Sequence, residues 1–535
     1  MKLTYEGLQD RTAWETRNIE LPSYDVGQMA QNGREHPRWV HFGIGNIFRI
    51  FLGSIADRLM EEGLLDSGIT CVETFDFETV SRIYKPYDNL ALAVYLNKDG
   101  SRRKKVFGCF AEAIEGKSSD PSEWERLKEV FRAPSLQMVS FTITEKGYAL
   151  RDRRGEYTDL IRRDLEEGPA HVSHAMSIVA ALLLERFKSG QTPIALVSMD
   201  NCSHNGEILR NAVLEIADAW KERGFVDESF LSYVRNEDKT AFPWTMIDKI
   251  TPRPGEDVAE SLKADGVEDM DIVVTQKRTY IAPFVNAEEP QYLVVEDSFP
   301  NGRPPLEKAG VYMTDRDTVN KAERMKVTVC LNPVHAALAP YGILLGYTFF
   351  ADTMSDPQLR KLAEKVGLQE GMEFVEDPGI ISPENFIREC LEERFPNRCL
   401  GDTCARIVTD ASQGLPIRFG ENIKACVRKY QTAQKLTGIA LALAGWLRYV
   451  LGTDDEGNEY ELSPDPYAPL IHEDLKQIRI GDPDSAKGLL TPILGNENIY
   501  GLDLYKAGIG DETERIFLKL IAGKGAVRRT LQELL

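Results

Sequence analysis

Several things are scarce in this chain. Its eight cysteines stand scattered at positions 71, 109, 202, 330, 390, 399, 404 and 426 with no CxxC pair. That spacing signals neither a disulfide framework nor a structural zinc site. Histidine is rarer still, with seven in 535 residues, which leaves a metal centre few imidazoles to draw on; no metal is expected. Positive charge is in deficit, 64 Lys and Arg against 84 Asp and Glu for a net charge of -20. Such a chain repels phosphodiester backbones, so nucleic acid is not an expected partner. No run reaches the ~18 uncharged apolar residues of a membrane span, and the N-terminus lacks the apolar core of a secretion signal. The expectation is a cytoplasmic chain with no membrane partner, and the sequence leaves monomer and dimer both open.

What is present is an ordinary globular composition, 42% hydrophobic and 28% charged, on a chain too long for one core. The first half alternates short apolar or β-branched runs with helical patterns, as a parallel sheet with crossover helices requires. Strands are predicted over 38–43, 68–74, 136–144 and 193–199, with helices over 48–62 and 171–188. From about residue 300 the β-branched alternation fades into helical segments at 321–348, 356–365, 383–393, 423–450 and 511–535. The Pro- and Asn-rich stretch 284–305 reads as the connection. The fold class expected is therefore α/β: a Rossmann-like N-terminal domain with a parallel-sheet core, residues 1–295, followed by a mainly α-helical domain, residues 296–535.

The segment HFGIGNIFR is a buried strand, a GxG turn and the start of a helix. Gly43 permits the tight turn, Gly45 lets a pyrophosphate approach the backbone, and the helix opening at Asn46, Phe48 and Arg49 offers N–H donors and a positive dipole end. The usual third glycine is missing. The next strand ends in Glu73 and Asp76, 28 and 31 residues beyond Gly45, where a carboxylate accepts from an adenosine ribose and repels a 2′-phosphate. The cofactor expected is NAD, with the choice between the two acids open. Two further strand ends, SFTITEKGY with Thr144 and Glu145 and VSMDNCSHNG with Asp200, converge on the same crevice of a parallel sheet.

The richest segment is MKVTVCLNPVHAALA. Asn332 before Pro333 reads as the N-cap of a new helix, with His335 one turn inside it and Lys326 on the preceding segment; a kink at Asn332 would gather the three. A lysine, an amide and a histidine supply what alcohol oxidation without a metal needs: a buried amine to take the hydroxyl proton and N–H donors for the developing alkoxide.

These blocks, with TITEKGY, SMDNCSHNG, FPWTMIDKITPR, GRPPLEKAGV and GDTCARIVTDAS, occur in order over roughly residues 40–420. Together they resemble the polyol-specific long-chain dehydrogenase family, which includes mannitol 2-dehydrogenase, fructuronate reductase and tagaturonate reductase. The resemblance implies a zinc-independent NAD enzyme with Lys326 as general base, Asn201 and Asn332 as oxyanion-hole amides and His335 orienting the substrate. It further implies that Asp248 and Arg406 line a site for a polyol or sugar acid. Two departures stand out. Lys326 precedes Asn332 by six residues where relatives have five, and a π-type turn would absorb the extra residue. Gly414 stands where relatives tend to carry a lysine. The CLNPVHAALA form points to the sugar-acid branch, so the expected reaction is reduction of D-fructuronate to D-mannonate with NADH. The alternatives are mannitol 2-dehydrogenase, tagaturonate reductase and a catalytically inactive NAD- and sugar-binding sensor.

Overall fold

The structure, a computed structural model, describes residues 1–152 and 154–535. It divides into two units: Met1–Asn97 with Ser101–Asn320, and Lys98–Gly100 with Lys321–Leu535.

The first unit is built on six strands: β1 (Trp39–Phe42), β2 (Ile69–Glu73), β3 (Phe110–Glu115), β4 (Met138–Phe141), β5 (Ile194–Ser198) and β6 (Thr240–Ala241). Every neighbouring pair is parallel, and the spatial order is β3-β2-β1-β4-β5-β6. Strands buried on both faces explain the near-continuous apolar runs. Alternation divides them between two cores: Val40, Phe42, Val139 and Phe141 face one, while Trp39, Cys71, Met138 and Ala195 face the other. The order reverses direction between β1 and β4, and in open parallel sheets ligands bind outside the carboxyl ends of the strands at such a point.

The stretch 284–305 is not a linker. Phe284–Ala287 extends a four-stranded sheet through Ala91–Leu96, and Tyr292–Glu296 pairs antiparallel with Thr245–Asp248. Its prolines flank the strands instead of interrupting them, while Asn286 is taken into the ladder opposite Val94. The change of unit falls at Asn320/Lys321, against 295/296 expected.

Regular structure in the second unit is helical apart from isolated bridges such as Thr453 with Glu459. Two helices expected as single rods are broken: Glu421–Tyr430 and Thr437–Val450 are separated at Gln431, which is left-handed, and Gly510–Leu520 and Ala526–Leu534 at Gly523 and Gly525. Distant carboxylates tie the starts of two of these helices. Glu370 accepts from the N–H groups of Gly438 and Ile439 at 2.7 and 2.9 Å, and Asp455 from those of Val527 and Arg528 at 2.8 and 3.0 Å. Among the described residues one helix, Arg316–Leu344, is long and apolar enough to cross a membrane. With 78% of its apolar window buried inside the protein, it reads as a core helix.

Candidate active site

The turn after β1 shows why glycine stands at 43. Its φ is +87°, and a Cβ there would lie 2.2 Å from the carbonyl oxygen of Thr142, so backbone and space both forbid a side chain. Around Gly45, by contrast, a Cβ would meet nothing within 4 Å, which leaves the open approach a pyrophosphate needs. Asn46 begins the helix and is partly exposed. Phe48 and Arg49, expected with Asn46 to offer N–H donors at the helix start, turn their side chains inward. Phe48 stacks on His41 with ring centroids 3.9 Å apart, and Arg49 donates to the carbonyls of Ala282 and Pro283 at 2.7 Å each.

The two acids after β2 have different surroundings. Glu73 Oε1 accepts from the backbone N–H groups of Thr74, Phe75 and Asp76 at 3.0, 2.9 and 3.3 Å. Burial pushes its carboxyl above the ordinary value, against the pull of those donors and of the Ile44 N–H in the glycine turn. Asp76 is turned away, its Oδ2 accepting from the Thr275 hydroxyl at 2.6 Å. Glu73 is the acid beside the dinucleotide turn.

Asp200, expected to touch the cofactor, binds the chain itself. Its carboxylate accepts from the N–H groups of Ile143 and Thr144, each at 2.9 Å, and from the Tyr148 hydroxyl at 2.6 Å. Those bonds hold Thr144 at φ +63°, a conformation that persists in a non-glycine residue only when its surroundings fix it. Asp200 thereby shapes the turn that leaves Thr144 and Glu145 exposed at the end of β4. Asn205, which sequence reasoning did not single out, is a second pin. Its buried amide donates to the Asp200 carbonyl at 3.0 Å and to Thr245 Oγ1 at 2.8 Å, and accepts from the Thr245 N–H at 3.0 Å. This ties the loop carrying the exposed Asn201 to the strand Thr245–Asp248, whose last residue is buried.

In the second unit, a π turn runs over Met325–Cys330 and holds the buried Lys326. This is the turn that the six-residue spacing required. Six α-helical residues would rotate by ~600° and five by ~500°; the wider π turn takes up one residue and restores the phase. A new helix then begins, Asn332–Leu344, with Pro333 in its first turn as expected; Asn332 is its first residue and not its N-cap. Leu331, at φ -118° and ψ -64°, breaks the run between the π turn and this helix and holds the cap position, and no side chain caps the helix. The Asn332 amide is therefore not spent on capping. Asn422 closes the π turn from outside by donating to the Thr328 carbonyl.

His335 sits between the rings of Phe350 and Phe395, with centroids 4.6 and 4.5 Å away. Burial first, then the fields of Arg406, Arg394 and Arg418, push its pKa down to about 3, opposed by Asp402. Arg406, expected in the substrate site, forms a bidentate pair with that same Asp402. Arg394 and Arg418 were missed because each lies outside the motif that carries its neighbours. Among the described residues no three or more His, Cys, Asp or Glu side chains gather where they would hold a metal ion.

Sheet order, glycine turn and adjacent carboxylate define the first unit as that of a dinucleotide-dependent oxidoreductase. Comparison with known proteins goes further: the mannitol dehydrogenase Rossmann domain matches residues 37–308 and the mannitol dehydrogenase C-terminal domain residues 318–509. The chain belongs to the mannitol dehydrogenase family. It is 50% identical to a D-mannonate oxidoreductase of Thermotoga maritima over 536 aligned residues, covering 100% of this chain and 99% of that one. It is 28% identical to a polyol:NADP oxidoreductase of Gluconobacter oxydans, over 84% and 86% of the two chains. Among solved structures it is similar to Pseudomonas fluorescens mannitol 2-dehydrogenase in a ternary complex with NAD and D-mannitol. That match has a TM-score of 0.74 at 25% identity, over 100% and 99% of the chains.

Proposed function

We propose that this chain is a cytoplasmic NAD-dependent D-mannonate oxidoreductase that interconverts D-mannonate and D-fructuronate. The full-length likeness to a D-mannonate oxidoreductase carries the choice of reaction. The guanidinium groups of Arg394 and Arg418, beside the Arg406–Asp402 pair, act on His335 and support an anionic substrate.

Bound NAD supplies the hydride acceptor. In the first unit, Gly43 and Gly45 admit the pyrophosphate and Glu73 accepts from the adenosine ribose, its charge disfavouring a 2′-phosphate. In the second, Lys326 takes the hydroxyl proton as the carbon gives up its hydride, and the Asn332 amide donates to the developing alkoxide, a role shared by Asn201. His335, held neutral at physiological pH by its surroundings, orients the substrate through a ring nitrogen. Asp248 and Arg406 complete the substrate set, Arg406 as an ion pair with Asp402. The balance is alcohol and NAD⁺ to ketone, NADH and one proton.

Mannitol oxidation is the second reading, favoured by the likeness to the mannitol 2-dehydrogenase complex. Following nicotinamide absorbance with D-fructuronate, D-tagaturonate and D-fructose, each with NADH and NADPH, separates the readings. D-fructuronate with NADH is expected to give the highest kcat/KM. A preference for D-fructose overturns the substrate, and a preference for NADPH overturns the role of Glu73.

A further inference from the structure

Gly414 lies inside the helix Ala411–Leu415 and outside the left-handed region, so no backbone conformation calls for glycine there. A glycine within a helix weakens it relative to alanine. What calls for it is space: a Cβ at 414 would stand 2.5 Å from Nε, 2.6 Å from Cζ and 3.0 Å from Cδ of Arg418. The missing methyl is the room in which that guanidinium lies.

Arg418 sits on the π turn Pro416–Gly420, and this segment is anchored to the turn bearing Lys326. Asn422, on the helix that follows, donates from one amide group both to the Thr328 carbonyl and to the Arg418 carbonyl. The charge of Arg418 acts on His335, on the same helix as Asn332. Its situation differs from that of Arg406, which Asp402 neutralises. Arg418 is half-buried, burial lowers the pKa of its guanidinium, and among the described residues it has no carboxylate partner. A guanidinium withdrawn from water without an anion is expensive to keep, and its planar donor fork matches a carboxylate.

We propose that Arg418 is the residue that binds the substrate carboxylate, and that Gly414 sets acid-over-polyol specificity by giving its guanidinium that position. The proposal rests on the reading of the substrate as a hexonate, and the two fail separately.

The experiment is steady-state kinetics with NADH on D-fructuronate and on D-fructose for the parent protein, Arg418→Met, Arg418→Lys and Gly414→Ala. NADH binding and thermal unfolding of each variant confirm that it is folded. In Arg418→Met the KM for D-fructuronate is expected to rise ~10–100-fold, the range set by losing hydrogen bonds to a charged group, with kcat changing far less. The kcat/KM ratio of D-fructuronate to D-fructose falls by the same factor. Arg418→Lys recovers part of the loss, because the charge returns without the fork. Gly414→Ala keeps every charge but displaces the guanidinium, so the ratio falls there too, by less. The assignment is overturned if Arg418→Met leaves the D-fructuronate KM unchanged, or if both substrates lose kcat/KM equally in the variants, the mark of a structural role. Should Arg418→Met fail to fold, Gly414→Ala decides: an unchanged ratio there overturns the proposal. If the parent reduces D-fructose and not D-fructuronate, the hexonate reading itself has failed, whatever the variants do.

Discussion

Around the glycine turn of the first unit, acids are met by the chain's own donors: Glu73 by three backbone N–H groups, Asp200 by two and a tyrosine hydroxyl. Around His335 in the second unit stand the guanidinium groups of Arg406, Arg394 and Arg418, and Arg418 has no carboxylate to lean on among the described residues. The difference teaches how two kinds of ligand are accommodated. A cofactor site is held by internal hydrogen bonds that fix loop shape before anything binds. A substrate site, if Arg418 acts as proposed, keeps one charge uncompensated and selects the ligand that supplies the opposite one.

The largest way to sharpen this contrast is to remove the group that does chemistry while leaving the cofactor half intact. Lys326→Ala is expected to lower kcat by ~10²–10⁴-fold, the usual worth of a positioned general base. NADH affinity, measured by fluorescence titration, should change little. A variant retaining most of its turnover breaks the assignment of Lys326.

The next test acts on the internally satisfied half. Asp200→Ala leaves the Ile143 and Thr144 N–H groups without their acceptor, so unfolding in urea is expected to cost about 2–3 kcal/mol less than for the parent. NADH binding should weaken as the turn at Thr144 relaxes. Unchanged stability would mean that this turn is held by something else.

A third test is a pH dependence in the charged half. The His335 imidazole, ordinarily near 6.5, is lowered to about 3 by burial and by Arg406, Arg394 and Arg418, with Asp402 opposing. Between those values the unfolded chain carries a proton that the folded chain refuses, so stability falls as pH drops through that window. Thermal unfolding of His335→Gln should lose less on acidification from pH 6.5 to 4 than the parent does. Parallel curves would contradict the depressed value.

The features of the cofactor half that were readable in the sequence are those decided locally. Buried parallel strands appear as apolar runs, and the requirement for glycine at 43 arises from its own φ and from the strand it leaves. The π turn at Met325–Cys330 was legible because counting residues from Lys326 to Asn332 reveals one too many. The same segment gave the start of the new helix at the proline but placed its cap one residue late, since Leu331 and not Asn332 holds that position. Strands at Phe284–Ala287 and Tyr292–Glu296 were hidden by the prolines around them. The core takes up the side chains of Phe48 and Arg49, because a motif fixes the path of the backbone and not which side chains are buried. Arg418 was illegible for a different reason, since its meaning depends on a glycine four residues earlier and on the partner it lacks.

The claim that the second unit selects an acid is tested most directly by equilibrium binding to the complex of the protein with NADH, where no turnover follows. Calorimetric titration with D-mannonate and with D-mannitol should show the acid binding at least ~10-fold more tightly, with an advantage that shrinks as salt is added. D-mannitol binding as tightly as D-mannonate at low salt would contradict the account.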